Sequence, residues 1–198
     1  LQFLFQLPFA IKKGYRYKLY IDVKDEHLKR MLWLIAPVLI GVAVNQINTI
    51  VDRTIASTLV EGSISALNYA TKLNQFVMGM FIVSISSVVY PMLSKLSSEN
   101  NKEQFNKSII TSVNTVTLLV IPISIGAIIL ANPIVKLLFQ RGEFDVRATQ
   151  MTAVALIFYS IGMIGYGLRD ILGKVFYSLQ DTRTPMINGV IAMVLNIT

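Results

Sequence analysis

The chain has 198 residues, of which 54% are hydrophobic and only 15% are charged, and its mean hydropathy is +0.59. Soluble domains carry about 25% charged residues, so this composition excludes an ordinary soluble domain and indicates a protein that is solvated by lipid. The net charge of +7 does not indicate a nucleic-acid partner, because the basic residues gather in loops between apolar runs rather than on one soluble face.

The first 30 residues divide into an apolar and a basic part. Residues 1–11 are apolar, with no basic segment before them and no cleavage site after them, and we interpret them as the end of a preceding transmembrane helix. Residues 12–30 are basic, amphipathic and contain tyrosines, which is typical of a cytoplasmic linker on a membrane surface. His27, the single histidine, is expected to be solvated there. Because both ends of the sequence fall within apolar runs, we expect an internal part of a longer transporter.

Four later runs contain no charged residue at all, and each is longer than the roughly 20 residues that a spanning helix needs. They are Met31–Val51, Leu73–Ser94, Ser108–Val135 and Ala148–Leu168. A fifth uncharged run begins at Thr184 and continues to Thr198. The sequence therefore predicts an all-α, polytopic transmembrane bundle, with about five spanning helices over residues 31–198.

Local signals predict details of these helices and of their connections. Pro37 and Pro122 should lie inside the first and third spans and kink them. The segment from Ile134 to Phe139 resembles a short interfacial helix. At the start of the last span, we expect Thr184 to cap the helix, with Pro185 at its first position.

Polar residues recur at helical spacing inside the first two spans. The first set is Gly41, Asn45, Asn48, Asp52 and Ala56, and the second is Ser65, Asn68, Lys72, Gln75 and Gly79. Each set occupies one face of a helix. Because a charged side chain deep in a bilayer costs at least ~2.5 to 3.5 kcal/mol, such a face should contact a hydrated cavity or a partner. We expect the two faces to contact each other; alternatively, they serve only as hydrogen-bonding contacts between helices.

The fourth span carries further polar residues towards its end. Tyr159, Gly162, Tyr166 and Arg169 share one face. Asp170 and Lys174 are one helical turn apart, which predicts an interfacial salt bridge.

Motifs of the common enzyme classes are missing from the sequence. It contains no second histidine, no HExxH, no GxxxxGK[ST] and no Ser-His-Asp set. Without cysteine, neither a disulfide nor a thiolate metal site is available. We therefore expect no enzymatic activity and no organic cofactor.

Three stretches resemble the lipid II flippase family, called MurJ or MviN, of the superfamily that also contains polysaccharide flippases and multidrug exporters. The first has the segments DRTIAS (52–57), GSISALNYA (62–70) and YPMLS (90–94), the second is LLFQRGEFD (137–145), and the third is FYSLQDTRTP (176–185). Their order along the chain is that of the family. The resemblance implies about fourteen helices in two lobes, which give alternating access to a central cationic cavity.

The resemblance also implies roles for particular residues. Lys72 falls at the position of a cavity arginine, so this sequence keeps the charge but loses the bidentate fork of arginine. Lys72 would be the main contact to the diphosphate of an undecaprenyl-linked sugar-peptide, with Asn68 and Gln75 as hydrogen-bonding residues and Arg53 as a further contact. The implied function is that of a monomeric flippase for a peptidoglycan precursor in the bacterial inner membrane.

Asp52 matches an acidic position that in some members of the family holds sodium as a coupling ion. Asn48 and Asn196 are the candidate further ligands, since hard cations prefer carboxylate and amide oxygens. In a competing arrangement, Asp52 pairs with Lys72 and binds no ion. Two other functions also remain open at this stage, another exporter of the same superfamily and a structural membrane subunit.

Charge counting predicts the topology. If the spans alternate in direction, twelve of the 18 basic residues lie on one side, which the positive-inside rule places in the cytoplasm. Residues 12–30 and 97–106 and Asp181 should then be cytoplasmic, and Glu61 and Glu143 external. Single cysteines at positions 61 and 99 would test this with an impermeant thiol reagent on intact cells. Position 61 should react and position 99 should not; labelling of position 99 from outside contradicts the topology.

Overall fold

A computed structural model describes residues 8–9, 11–14 and 25–197. The predicted end of a preceding helix and most of the predicted linker therefore lie outside the described residues. His27 is exposed, as predicted. Contacts between Cα atoms separate Leu34–Thr198 from the residues before it, and the packing described below is that of this larger unit.

The described part of the chain is helical throughout, with short connections. Its helices are α1 (Glu26–Ser57), α2 (Ser63–Ser98), α3 (Lys102–Ile129), α4 (Ala131–Phe139), α5 (Val146–Ser178) and α6 (Arg183–Ile197). Four of them, α1, α2, α3 and α5, are long and apolar enough to cross a membrane. The predicted all-α membrane fold is confirmed. The fifth predicted span corresponds to α6, which has 15 residues in the described part of the chain.

Side-chain caps fix where several helices begin. Asn101 accepts a hydrogen bond from the backbone N–H of Gln104 at the start of α3, and Asp145 accepts one from Ala148 at the start of α5. Each cap satisfies a backbone donor that the first helical turn leaves unpaired.

The cap of α6 differs from the prediction. Asp181, not Thr184, is the capping residue: its carboxylate accepts from the backbone N–H groups of Arg183 and Thr184, both at 3.0 Å, and from the Thr184 hydroxyl at 2.6 Å. The bond from the Thr184 hydroxyl is the main reason why the pKa of Asp181 lies below its ordinary value of 3.8. The carboxylate therefore stabilises this helix start at neutral pH, and that contribution is lost as the pH falls below about 3.8.

Helix α5 is the centre of the bundle, and three clusters of buried side chains lie along it. The first contains Ala70, Ala131, Val135, Ala153 and Leu156; the second Met78, Ile82, Val116, Val120, Met163 and Ile171; the third Val89, Leu93 and Val175. From the first cluster to the third, residue numbers rise along both α2 and α5, so these helices run parallel. Along α3 the numbers fall, from Val116 and Val120 in the second cluster to Phe105 and Ile109, which pack against the third, so α3 runs antiparallel to both. This agrees with the alternating directions used in the charge count.

The predicted short helix before the turn at 140–145 is present as α4. Val135 is fully buried, whereas Leu137 on the opposite face is 84% exposed, so α4 is amphipathic. Its last residue, Phe139, packs its ring against Tyr69 of α2 with centroids 4.8 Å apart, and Tyr69 also contacts Phe144 at 5.1 Å. These ring contacts hold the start of α2 against α4 and against the turn that follows α4.

Gly167 of α5 packs closely against side chains of α2 and α3. A Cβ atom there would lie 2.9 Å from Cδ1 of Ile82 and 3.0 Å from Cγ1 of Val116. Only glycine fits without displacing one of these buried side chains, so α2, α3 and α5 meet at this residue.

Gly167→Val should therefore destabilise the bundle, by about 1 to 3 kcal/mol if it behaves as a typical overpacked core. Gly165→Val is the matched control, because a Cβ at Gly165 has nothing within 4 Å. Thermal unfolding of the detergent-purified protein, expressed from its complete gene, measures the difference. Equal unfolding temperatures for the two variants would contradict the close packing at Gly167.

Candidate functional site

The polar face of α1 contacts the last helix. The side-chain amide of Asn196 donates to Oδ1 of Asn48 at 2.7 Å and to Oδ1 of Asp52 at 3.3 Å. Within α1, Nδ2 of Asn48 lies 3.5 Å from Oδ2 of Asp52. The structure thus brings together the three residues that were predicted to share a cation, although they are up to 148 positions apart in the sequence.

Helix α5 contacts the same face of α1 about one helical turn before Asn48. Nη2 of Arg169 on α5 lies 3.5 Å from Oδ1 of Asn45, and a Cβ added to Gly189 of α6 would lie 4.0 Å from the same nitrogen. We define the polar seam as five residues: Asn45, Asn48, Asp52, Arg169 and Asn196. It lies where α1, α5 and α6 meet.

The expectation that the polar faces of α1 and α2 contact each other is wrong for these side chains. Among the described residues, no hydrogen bond or ion pair joins the two faces; the polar partners of α1 come from α5 and α6. Helix α2 instead turns its alanines inward, and Ala66 and Ala70 are buried while Asn68 stays exposed. Small side chains permit close helix contact in a membrane, so the alanine stripe, not the polar stripe, determines how α2 docks.

The polar seam offers the atoms that a small cation prefers. Asp52 supplies two carboxylate oxygens, and each asparagine supplies an amide that presents either its oxygen or its NH₂ group, depending on how the amide plane is turned. In the present arrangement, amide N–H groups point at the Asp52 carboxylate. Turning both amides over would surround one point with carboxylate and amide oxygens, the ligand set of hard cations.

Lys72 lies on the other polar face and has a different environment. Its side chain is exposed, and Nζ is 5.5 Å from the centroid of the Tyr69 ring, within the range of a cation–π interaction. Asn68 and Gln75 on either side are also exposed. In the described part of the chain, no carboxylate pairs with Lys72, so the competing pairing of Lys72 with Asp52 is absent from this structure.

Arg53 does not join either group. Its side chain is exposed, and it has no hydrogen bond or ion pair with any described residue. Its neighbour Asp52 points about 100° away around the helix axis, which separates Arg53 from the polar seam.

The predicted salt bridge within the fourth span is confirmed. Nζ of Lys174 lies 3.9 Å from Oδ1 of Asp170, and both side chains are about one-third exposed or less. The sequence reasoning missed their third partner, Ser86 of α2, which is buried and donates its hydroxyl to Oδ2 of Asp170. Ser86 is one of several serines on α2, and nothing in its local pattern distinguishes it.

Comparison with known proteins supports the resemblance seen in the motifs. The family model described as lipid II flippase MurJ matches residues 1–198. A probable lipid II flippase MurJ of Vibrio cholerae is 39% identical over 99% of this chain and 37% of its own length, and one of Haemophilus influenzae is 37% identical over 99% and 40%. A solved structure of lipid II flippase MurJ in an inward closed conformation superposes with a TM-score of 0.74 at 32% identity, covering 98% of this chain and 41% of that one.

The chain spans about two fifths of the length of the curated relatives it matches. With its four candidate spans, it is a multi-pass protein segment of the bacterial inner membrane. Because the family model covers the whole chain, the chain belongs to the lipid II flippase MurJ family.

Proposed function

We propose that the protein is a flippase that moves an undecaprenyl-diphosphate-linked peptidoglycan precursor across the membrane by alternating access, without an enzymatic step. The observation that carries the proposal is the environment of Lys72. This ammonium lies on a helix long enough to span the membrane, is exposed, and has an aromatic ring as its only described partner. An unneutralised charge on a spanning helix is costly, and a diphosphate would supply the missing counter-charge.

The proposal extends to the neighbours of Lys72. Asn68 and Gln75 are exposed one turn before and nearly one turn after it, where their amides would donate hydrogen bonds to phosphate or sugar oxygens. The Tyr69 ring, fixed by Phe139 and Phe144, restricts where the ammonium can go. A point charge on such a support attracts a diphosphate without the planar geometry that arginine provides. Arg53, which lies apart, would contribute only through its charge.

Polar contacts also bear on the alternative functions. A structural subunit would use its polar residues to join helices, as the polar seam and the Ser86–Asp170 contact do here. Lys72 does not fit that role, because it joins no second helix through a hydrogen bond or an ion pair in the described residues. Another exporter of the same superfamily would share the fold and differ in its cargo, and the family match favours the lipid-linked precursor. The proposed working unit is a monomer.

Sodium is the proposed coupling ion, and Asp52, Asn48 and Asn196 are its proposed ligands. Their side chains contact one another at 2.7 to 3.5 Å, and this proximity supports a shared ion. Asn196 of α6 contacts Asn48 and Asp52 of α1 in the polar seam, so an ion bound by these groups would hold the two helices together. The ion would thereby couple to helix movement.

The substrate role of Lys72 predicts a graded mutation series. Lys72→Arg should retain transport because the positive charge remains, whereas Lys72→Ala should lose most of it. Lys102→Ala is the control, since Lys102 is an exposed lysine at the start of α3. Growth of cells that depend on this flippase reports transport, and immunoblotting verifies equal amounts of protein. Normal growth with Lys72→Ala would show that the substrate role is wrong.

The ion role of the polar seam predicts a loss of sodium dependence. Asp52→Asn should abolish the sodium requirement of transport, and Asn196→Ala should weaken apparent sodium affinity because one amide oxygen is lost. Asn106→Ala, an exposed asparagine outside the seam, should leave it unchanged. Transport in vesicles is measured against sodium concentration, with choline as the replacement ion. If transport is independent of sodium both in the unmodified protein and in the Asp52→Asn variant, the proposed sodium site is wrong.

A further inference from the structure

Helix α2 is not α-helical along its whole length. A π-helical turn, Gly79–Val83, separates an outer half, Ser63–Met78, from an inner half, Ser84–Ser98. The hydrogen bonds are irregular here. The N–H of Gly79 is shared between the carbonyls of Gln75 and Phe76, and the Ser84 hydroxyl reaches the Gly79 carbonyl at 3.5 Å. Helices bend most readily at such turns.

The buried residues of α2 show what this turn does to the helix. Ala66, Ala70, Met78, Ile82 and Ser86 are all buried, at intervals of four residues or a multiple of four. In a regular α-helix, residues four apart lie about 40° apart around the axis, so this stripe would rotate by about 200° between Ala66 and Ser86. A turn that accommodates one additional residue removes about 100° of this rotation. Both halves of α2 can therefore face the core.

The same alignment would be reached without the additional residue. Seven regular residues make close to two full turns, so an α2 that is shorter by one residue would still point Met78 and Ser86 to the same side. Packing alone therefore does not require the π-helical turn. A turn that departs from regular helix geometry, and that packing does not require, is expected at a functional position.

The two halves of α2 are held in different ways. The inner half is clamped to α5, because Ser86 bonds to Asp170 and Leu93 is fully buried. The outer half is packed through Ala66, Ala70 and Met78 and through the Tyr69 ring, which contacts α4. These contacts are apolar or aromatic, and among the described residues no hydrogen bond joins this half to α5; Oδ1 of Asn74 is buried without a hydrogen-bond partner. Within the turn itself, Met80 and Val83 are 51% and 58% exposed, so no described side chain blocks a bend on that side.

We propose that Gly79–Val83 is a pivot, about which the outer half of α2 moves with Lys72 while the inner half stays clamped to α5. The inference rests on the proposed function in one respect: a moving Lys72 matters because it would carry the bound diphosphate between two positions. Ile82, wedged against Gly167, is the fixed point of the movement.

Deletion of Met80 tests the pivot, because it removes the additional residue and keeps both faces aligned. The deletion variant should fold, with an unfolding temperature close to that of the length-preserving control Met80→Ala, but should fail to support growth that Met80→Ala supports. Both variants are made in the protein expressed from its complete gene. Normal growth with the deletion overturns the proposal. So does a deletion variant that does not fold while Met80→Ala does, since the turn would then be required for packing.

A distance measurement separates this inference from the proposed function. Spin labels at positions 64 and 92, where Ile64 and Met92 are each 40% exposed, report the angle between the two halves of α2 without any transport. The unmodified helix should give a broad or double distance distribution, and the deletion should narrow it to one distance. A single narrow distance in both proteins overturns the pivot, whereas normal growth with Lys72→Ala would overturn only the substrate role.

Discussion

A polar side chain inside a bilayer needs a partner, and this constraint explains most of how these helices are arranged. The carboxylate of Asp170 is satisfied by Ser86 and Lys174, and that of Asp52 by Asn48 and Asn196. Each set of contacts joins two helices. Helix α5 can therefore be central although it carries charged residues, because Asp170 and Lys174 pair with each other where α2 meets the helix, and Arg169 contacts an amide oxygen of α1. The ammonium of Lys72 departs from this pattern, because its described partner is the Tyr69 ring and not a carboxylate, and the proposed substrate contact is based on this departure.

Close packing around α5 provides the rigid part of the molecule. Three buried clusters follow α5, and at Gly167 the side chains of Ile82 and Val116 leave no space for a Cβ atom. Interiors packed in this way do not deform gradually. The π-helical turn of α2 interrupts the α-helical hydrogen bonds but not this packing, because Ile82 lies within the turn and is buried. The movement proposed for α2 is therefore a bend about a side chain that stays packed.

Much of the fold could be predicted because its signals are local. Uncharged runs located the spans, and the spacing of Asp170 and Lys174 predicted their salt bridge, since both depend only on helix geometry. The grouping of Asp52, Asn48 and Asn196 followed from a family resemblance, not from the local pattern. What failed was the choice of neighbouring helix: the polar stripe of α1 was expected to contact α2 but contacts α5 and α6.

The remaining errors have the same physical origin. Whether a helix packs through its polar stripe or through its alanine stripe depends on the surface of the neighbouring helix. The sequence of one helix does not show that surface. Ser86 and Gly167 were missed for this reason, because each is defined by a residue more than 80 positions away. The π-helical turn was missed because it is recognised from which residues of α2 are buried, and burial is not visible in the sequence. The cap of α6 was misplaced because Asp181 and Thr184 are both good capping residues, and the carboxylate gathers more donors.

The central claim is that the face of α2 that carries Lys72 contacts the diphosphate of the lipid cargo. A photoreactive amino acid placed at position 68 or 75 in growing cells tests this directly, with position 88 as the control, because Val88 is 70% exposed on the same helix. The account predicts cross-links to undecaprenyl-diphosphate lipid from positions 68 and 75 and only background from position 88. Equal cross-linking from position 88, or none from positions 68 and 75, would contradict it.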